Sequence, residues 1–92
     1  MEVKNVVESL VWNNLDSVLA RKEGACRCER CRADIAAYAL NRLKPRYVVT
    51  ARGEVYVKAE FLTPQFQLDV ITALAEAVNQ VSEHPNHGQP EE

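Results

Sequence analysis

The segment Cys26-Arg27-Cys28-Glu29-Arg30-Cys31 contains all three cysteines of this 92-residue chain. The first residues, Met1-Glu2-Val3-Lys4, lack the basic and apolar regions of a signal peptide, so these thiols indicate a metal site rather than disulfides. Cys-x-Cys-x-x-Cys spacing lets the backbone bend around one ion and present sulfurs from both sides, which suits zinc. We therefore expect the three cysteines to bind a structural zinc ion.

A tetrahedral structural site needs a fourth ligand, and two imidazoles, His84 and His87, lie near the C-terminus. Either one would tie the end of the chain to the cysteine loop. Structural zinc contributes about 10–16 kcal/mol of apparent binding free energy at neutral pH, as much as the whole stability of a small domain. Two alternatives stay open, because Cys28 and Cys31 have the spacing of a redox dithiol and the cysteines could be inert buried thiols.

The hydrophobic pattern around this loop predicts a mainly α-helical fold with three principal helices. Apolar residues at i, i+3, i+4 and i+7 spacing predict helices over residues 3–19, 29–43 and 64–82, the last capped by Thr63. Two β-branched and aromatic runs around Gly53 predict a short extended or hairpin segment within residues 46–60. We expect residues 1–84 to form one domain and residues 85–92 a polar tail.

Composition and charge limit the function classes. No uncharged run approaches the length of a membrane span, so we expect a cytoplasmic protein without a membrane partner. The net charge is −2, yet residues 21–46 carry +5 and the rest of the chain −7. This basic stretch would attract phosphate, nucleic acid or an acidic partner surface, or it would meet acidic helices of the chain itself or of a twin subunit. The acidic remainder and a pI near 5.7 argue against nucleic acid.

No catalytic pattern stands out. The chain has only three glycines and no phosphate-cradling glycine loop, and no serine or threonine joins a plausible histidine and acid. A zinc ion held by four protein ligands has no open position for water. We therefore expect a protein that is not an enzyme.

Beyond the cysteines, several motifs follow one another in order along nearly the whole chain. They are Cys26-x-Cys28-x-x-Cys31, Asp34-Ile35-Ala36-x-x-Ala39-Leu40-Asn41-x-Leu43-x-Pro45-x-Tyr47-Val48-Val49-Thr50, Gly53-Glu54-Val55-Tyr56-x-Lys58-Ala59, Asp69-Val70 and x-Pro85-x-His87. Together they resemble the late competence development protein ComFB family. The resemblance implies a small, mainly helical, zinc-binding homodimer without known catalytic activity. It also implies a cyclic dinucleotide receptor, as proposed for some members, with a tie to natural competence and surface behaviours.

The resemblance implies that Cys26, Cys28 and Cys31 are zinc ligands. Some members have a cysteine in the tail where this chain has none, so His87 is the expected fourth ligand and His84 the alternative. The family's motif does not assign the nucleotide contacts. The basic and aromatic residues best suited to two phosphates and two purines are Arg27, Arg30, Arg32, Arg46, Tyr47 and Arg52.

Two functions follow from the resemblance. The leading one is a cytoplasmic, zinc-stabilised dimeric signalling module that binds c-di-GMP or c-di-AMP and passes its occupancy to an unknown downstream protein. A two-fold-symmetric nucleotide would suit a two-fold-symmetric dimer, because each half can make the same contacts. The alternative is a structural or adaptor protein of the competence system that binds protein only.

Overall fold

The computed structural model describes residues 1–84, which form four helices and a two-stranded ribbon. The elements are β1 (Lys4–Asn5), α1 (Val6–Leu19), α2 (Glu29–Leu40), β2 (Tyr47–Val48), α3 (Ala51–Glu60) and α4 (Pro64–Glu83). The predicted mainly helical class, with a cysteine loop between the first two helices, is confirmed. The predicted tail at residues 85–92, which contains His87, lies outside the described residues.

The first helix begins at Val6, three residues later than predicted, because Asn5 caps it. Asn5 Oδ1 accepts one hydrogen bond from the Val7 amide at 3.2 Å and another from the Arg46 amide at 2.8 Å. The Val6 amide donates to the Arg46 carbonyl at 2.9 Å. The residues before α1 are therefore held in a short antiparallel ladder, with Lys4 opposite Val48 and Asn5 opposite Tyr47.

The core lies where α1, α2 and α4 pack against one another. Each helix contributes the apolar stripe that its sequence period predicts. The largest fully buried side chains are Leu15, Leu19, Ile35, Leu74, Val6, Val7, Val11, Val70 and Cys31. Small residues on α2 and α4, among them Ala36, Ala39, Ala73 and Ala77, are also buried and let these helices approach closely. One cysteine therefore belongs to the core, which anchors the loop that carries the other two.

The two runs around Gly53 do not pair as a hairpin, which is one of the two forms predicted for residues 46–60. The extended run is confirmed only at Tyr47–Val48, which pairs with Lys4–Asn5 instead, and residues 51–60 form α3. Thr50 Oγ1 accepts the Gly53 amide at 3.0 Å and so caps this helix. A Glu54–Lys58 ion pair at 3.0 Å, four residues apart, supports it further. These local helix contacts outweigh the β-propensity of Val55, Tyr56 and Val57.

The last helix begins at Pro64, as predicted, with Thr63 at the N-cap. The Thr63 hydroxyl makes no cap bond, because it donates to the Glu60 carbonyl at 2.7 Å at the end of α3. The second helix ends at Leu40 rather than at residue 43, with Asn41 as its C-cap. None of the helices within residues 1–84 is long and apolar enough to cross a membrane.

Candidate metal centre

The cysteine loop joins α1 to α2 through a tight turn at Gly24, whose φ of 78° lies in the left-handed region that favours glycine. The Ala25 amide donates to the Lys22 carbonyl at 3.3 Å. Ala25 and Cys26 then pack against the core. The loop therefore enters α2 from a fixed position rather than as an open excursion.

The start of α2 places the other two cysteines. Cys28 is the N-cap residue, and its Sγ accepts the Cys31 amide at 3.4 Å, as a serine or threonine oxygen does in a capping motif. Cys31 is the third helical residue, and only 1% of its surface is exposed. Cys26 is half-buried and Cys28 is exposed. The cluster thus spans the boundary between core and solvent.

The three thiols fit a zinc ion. All are thiols rather than disulfides, and their Sγ atoms lie within 4.8 Å of one another. Zinc–sulfur bonds of about 2.3 Å in a tetrahedron place sulfurs about 3.8 Å apart. The upper limit of 4.8 Å on the spacing of the sulfur atoms exceeds this value by about 1 Å. Side-chain rotation can move the sulfur atoms by that much.

Without a metal, the protein opposes ionisation of the innermost thiol. Burial, followed by hydrogen bonds with Cys26 and Cys28, raises the pKa of Cys31 from 9.0 to about 12. A divalent cation reverses this balance, because it bonds to the thiolate and neutralises its charge. The chemistry of the site therefore favours a neutral Cys31 thiol without metal and a thiolate with it, so metal binding releases a proton there.

The structure does not bring His84 to the thiols. Among residues 1–84, the cluster of potential metal ligands contains the three cysteines alone, while His84 lies exposed at the C-cap of α4. However, the end of α4 does reach the site. A cavity of about 190 Å³ beside the thiols is lined by Gly24, Ala25, Cys26, Cys31, Ile35, Val81 and Ser82.

Val81 and Ser82, in the last turn of α4, therefore lie beside the cysteine cluster. His87 follows Ser82 by five residues, which can span up to about 17 Å when extended. That reach makes His87 a feasible fourth donor, although its position lies outside the described residues.

The basic residues near the start of α2 are largely engaged with acids of the chain itself. Arg30 pairs with Asp34 at 3.3 Å. Arg32 holds both carboxylate oxygens of Asp16 at 3.0 Å, and its guanidinium carbon lies 5.6 Å from the centroid of the Trp12 ring. The contacts of Arg32 with Asp16 and Trp12 bind α2 to α1. Arg27 is exposed in the loop and makes no ion pair within residues 1–84.

The other predicted nucleotide contacts lie beyond the far end of α2. Arg46 pairs with Glu60, and its guanidinium carbon lies 5.3 Å from the centroid of the Phe66 ring. Tyr47 is 65% exposed on β2, and Arg52 is exposed in the first turn of α3. Most of the length of α2, which is about 18 Å in all, lies between this group and the first.

Sequence reasoning missed an open groove of about 760 Å³ between the end of α2 and the start of α4, which we call the basic-edged groove. Its lining residues are Arg42, Leu43, Lys44, Arg46, Glu60, Thr63, Gln65, Phe66, Leu68, Asp69, Thr72, Ala73 and Glu76. Arg42 stacks on the Tyr38 ring at 4.6 Å and lies 3.8 Å from Glu76. Among the described residues, Lys44 has no ion-pair partner. No local motif marks this groove, because packing of α2 on α4 creates it.

Exposed apolar side chains are concentrated on one segment, which we call the β2–α3 surface. It consists of Tyr47, Val49, Val55, Tyr56 and Leu62, each between 52% and 77% exposed. These are five of the nine exposed large apolar residues within residues 1–84. Scattered exposed apolar residues are ordinary, but such a concentration is typical of an interaction surface.

The sequence and fold were compared with those of known proteins. Residues 4–85 match the profile of the family described as late competence development protein ComFB. The chain is 33% identical over 82 residues to competence protein ComFB of Bacillus subtilis (strain 168), covering 89% of this chain and 84% of that protein. A solved structure of the late competence protein ComFB from Bacillus subtilis is also similar, with 31% identity and a TM-score of 0.84. The similarity covers 98% of this chain and 100% of that one.

Proposed function

Because this chain belongs to the ComFB family of late competence development proteins, we propose that it is a non-catalytic, zinc-stabilised dimeric module of the competence system that binds a cyclic dinucleotide. In this proposal the nucleotide occupies the basic-edged groove and its occupancy passes to a downstream protein. The observation that carries the proposal is the groove itself, where three cationic side chains and the Phe66 ring line a volume suited to a small ligand.

The zinc clamp comprises Cys26, Cys28, Cys31 and His87, and it has a structural role. A bound zinc ion would supply cross-linking between the loop and the chain beyond α4. The burial of Cys31 and the packing of Cys26 on the core hold two of the sulfurs in place before the metal arrives. The clamp would thus fix the cysteine loop against the end of α4.

The family supports the non-catalytic part of the proposal. The matching family model and the Bacillus subtilis relative are both named for competence and not for a reaction.

The basic-edged groove offers complementary features to a cyclic dinucleotide. Lys44 can pair with a phosphate without first leaving an acid of the described chain, and Arg46 lies over Phe66, next to a surface on which a purine could stack. Gln65 and Thr72 add hydrogen-bonding groups to the lining. Each of these contacts favours a ligand that carries both phosphates and bases.

The proposed homodimer uses the β2–α3 surface against a second copy of the chain. Glu54, on the same helix, pairs with Lys4 at 3.2 Å and with Lys58 at 3.0 Å. A two-fold axis through this surface would bring the same apolar side chains of both copies together. Tyr56→Glu should convert the dimer to a monomer in sedimentation, whereas Gln80→Glu, which adds a negative charge elsewhere, should not.

Calorimetric titration of the zinc-loaded protein with c-di-GMP and c-di-AMP in parallel tests the nucleotide proposal. We expect saturable binding of one of them, at a fixed ratio per dimer. Lys44→Ala should weaken that binding roughly 10- to 150-fold, the cost of a charged hydrogen bond. Arg27→Ala removes the same charge at the other end of α2 and should leave binding unchanged. No binding of either nucleotide to the zinc-loaded dimer would overturn the proposal.

One observation favours the alternative of a protein-only adaptor. The three basic side chains of the groove are balanced by three acidic ones, Glu60, Asp69 and Glu76, so its formal charge is zero. A protein surface of mixed charge matches such a groove better than a dianion does. If neither nucleotide binds, the groove becomes the site to mutate in a search for the protein partner.

A further inference from the structure

The two cysteines at the start of α2 differ sharply in their exposure. Cys28 is exposed at the N-cap, whereas Cys31, three residues later, is 1% exposed. Dithiol redox centres share this arrangement of an accessible, attacking sulfur and a shielded, resolving sulfur in a Cys-x-x-Cys pair at a helix N-terminus. The sequence motif is therefore matched by an asymmetry in three dimensions.

The backbone around this pair is already compatible with a disulfide. The Arg32 amide donates to the Cys28 carbonyl at 3.0 Å, so Cys28 is in register with the helix. Residues three apart in a helix have Cα atoms about 5 Å apart, which lies within the range that disulfides span. The two Sγ atoms are within 4.8 Å of each other, and the Cys31 amide donates to the Cys28 sulfur at 3.4 Å. Side-chain rotation can therefore form the bond while α2 keeps its hydrogen bonds.

The sulfur of Cys28 is also favourably placed for oxidation. Its surface is exposed, whereas that of Cys31 is buried. An oxidant in solution therefore meets the Cys28 sulfur before it meets the shielded sulfur of Cys31.

We propose that Cys28 and Cys31 form a hydroperoxide-sensitive dithiol within the zinc clamp, whose oxidation to a disulfide expels the metal. The Cys28 thiolate attacks a peroxide oxygen and becomes a sulfenic acid, while the other oxygen leaves as hydroxide. The Cys31 sulfur then displaces the sulfenic oxygen as water and forms the disulfide. The two cysteines lose two electrons in all, the peroxide is reduced to water after protonation, and zinc leaves as the divalent ion. This inference rests on the zinc clamp but not on nucleotide binding.

Metal loss follows from the number of ligands. A Cys28–Cys31 disulfide removes two of the three sulfur donors and leaves Cys26 as the only thiol of the cluster, which is too few for a structural zinc site. Reduction of the disulfide restores the thiols and the capacity to bind zinc. The fraction of protein that holds zinc would therefore depend on the ratio of peroxide to thiol reductant around it.

The inference is tested on the full-length, zinc-loaded protein by titration with hydrogen peroxide in the presence of a chromogenic zinc chelator. We expect peroxide to release the zinc, with loss of two thiols per chain and full recovery after a dithiol reductant and fresh zinc. Trypsin assigns the pairing, because it places each cysteine in a separate peptide: Glu23–Arg27, Cys28–Arg30 and Cys31–Arg32. The expected product links the second and third of these peptides.

Matched variants separate the two steps. Cys26→Ser should still form the disulfide under peroxide even if it binds zinc poorly, whereas Cys31→Ser should stop at the sulfenic acid of Cys28, which a dimedone probe detects. A zinc-loaded protein that keeps its metal under peroxide, or one whose linked peptide contains Cys26, would overturn the inference alone. If the reduced protein holds no zinc before peroxide is added, the proposed zinc clamp is wrong. The proposed release of zinc by peroxide is then wrong as well.

Discussion

Substitutions of Cys28 separate its two roles, as a metal ligand and as the N-cap of α2. In zinc-free buffer with chelator, Cys28→Ser keeps an acceptor for the Cys31 amide and should unfold at or above the wild-type temperature, since serine is a preferred N-cap residue. Cys28→Ala removes the acceptor and should be about 1 kcal/mol less stable than Cys28→Ser. For a chain of this size, that loss lowers the midpoint of thermal unfolding by about 4–8 °C.

With zinc present, the order of the three proteins should change. Zinc at 1,000 times its dissociation constant stabilises the wild type by about 4.1 kcal/mol, several times the value of the cap. Both variants lack one sulfur and should gain far less, so wild type should then exceed Cys28→Ser by most of that amount. Thermal unfolding followed by far-ultraviolet circular dichroism, with chelator and with zinc, measures both differences.

Each role can be refuted on its own. Equal midpoints for Cys28→Ser and Cys28→Ala in chelator would show that the 3.4 Å contact contributes nothing as a cap. An equal zinc-induced rise for wild type and Cys28→Ser would show that Cys28 is not a ligand. If zinc raises the midpoint of thermal unfolding of none of the three proteins, the proposal of a structural zinc ion is wrong.

Three further predictions test the fold. Leu74→Ala should reduce the free energy of unfolding in urea by about 3–5 kcal/mol, because the side chain is fully buried. Leu62 is 77% exposed, so Leu62→Ala should stay within about 0.5 kcal/mol of wild type if the protein is held monomeric. Thr50→Ala should cost about 1 kcal/mol in the same assay, because it removes the side-chain cap of α3. Hydrogen bonds from Lys58 and Lys4 hold the pKa of Glu54 below its usual value. Their stabilising effect should therefore be present at neutral pH and fade as pH falls through that lowered pKa. Lys58→Ala should raise the pKa of Glu54 measured in an NMR titration.

The same measurements can contradict these expectations. A Leu74→Ala protein as stable as Leu62→Ala would mean that the three-helix core is packed differently. A Thr50→Ala protein with unchanged stability would mean that packing alone holds α3 in place. A Glu54 midpoint that does not move in Lys58→Ala would mean that the ion pair is absent in solution.

The helices that build the core could be predicted from the sequence because their signals are local. The apolar period of α1 and α4 and the Thr63-Pro64 start each lie within one element. The cysteine cluster could be predicted for the same reason, since its three sulfurs come from six consecutive residues. A short loop before a helix brings such residues together whatever the rest of the fold does.

Features that depend on distant residues could not be predicted. The partner of Tyr47–Val48 is Lys4–Asn5, and nothing in either dipeptide identifies the other. The basic-edged groove likewise exists only because the end of α2 lies beside the start of α4. A single nucleotide site requires the six basic and aromatic residues to lie close together, and sequence order does not give the distances between them. Most of the length of α2 lies between the two groups of residues.

The helix at residues 51–60 had a local signal that its β-branched residues obscured. Thr50 is an N-cap residue three positions before Gly53, and Glu54 stands four residues before Lys58, the favourable order for a helical ion pair. Only Val57 of this helix is buried, so the hydrophobic period that reveals α1 and α4 is missing from α3. Capping and charge spacing identify such a helix better than hydrophobicity does.

The double hydrogen bond at Asn5 has a consequence for the order in which the chain is completed during translation. The first turn of α1 depends on the amide and carbonyl of Arg46, 41 residues later than Asn5. At about 5–20 residues per second, the ribosome needs about 2–8 s to make the intervening chain. Throughout that interval the Val6 amide lacks the Arg46 carbonyl that accepts its hydrogen bond in the folded protein. The N-terminal helix of the nascent protein is therefore finished by a segment synthesised after both α1 and α2.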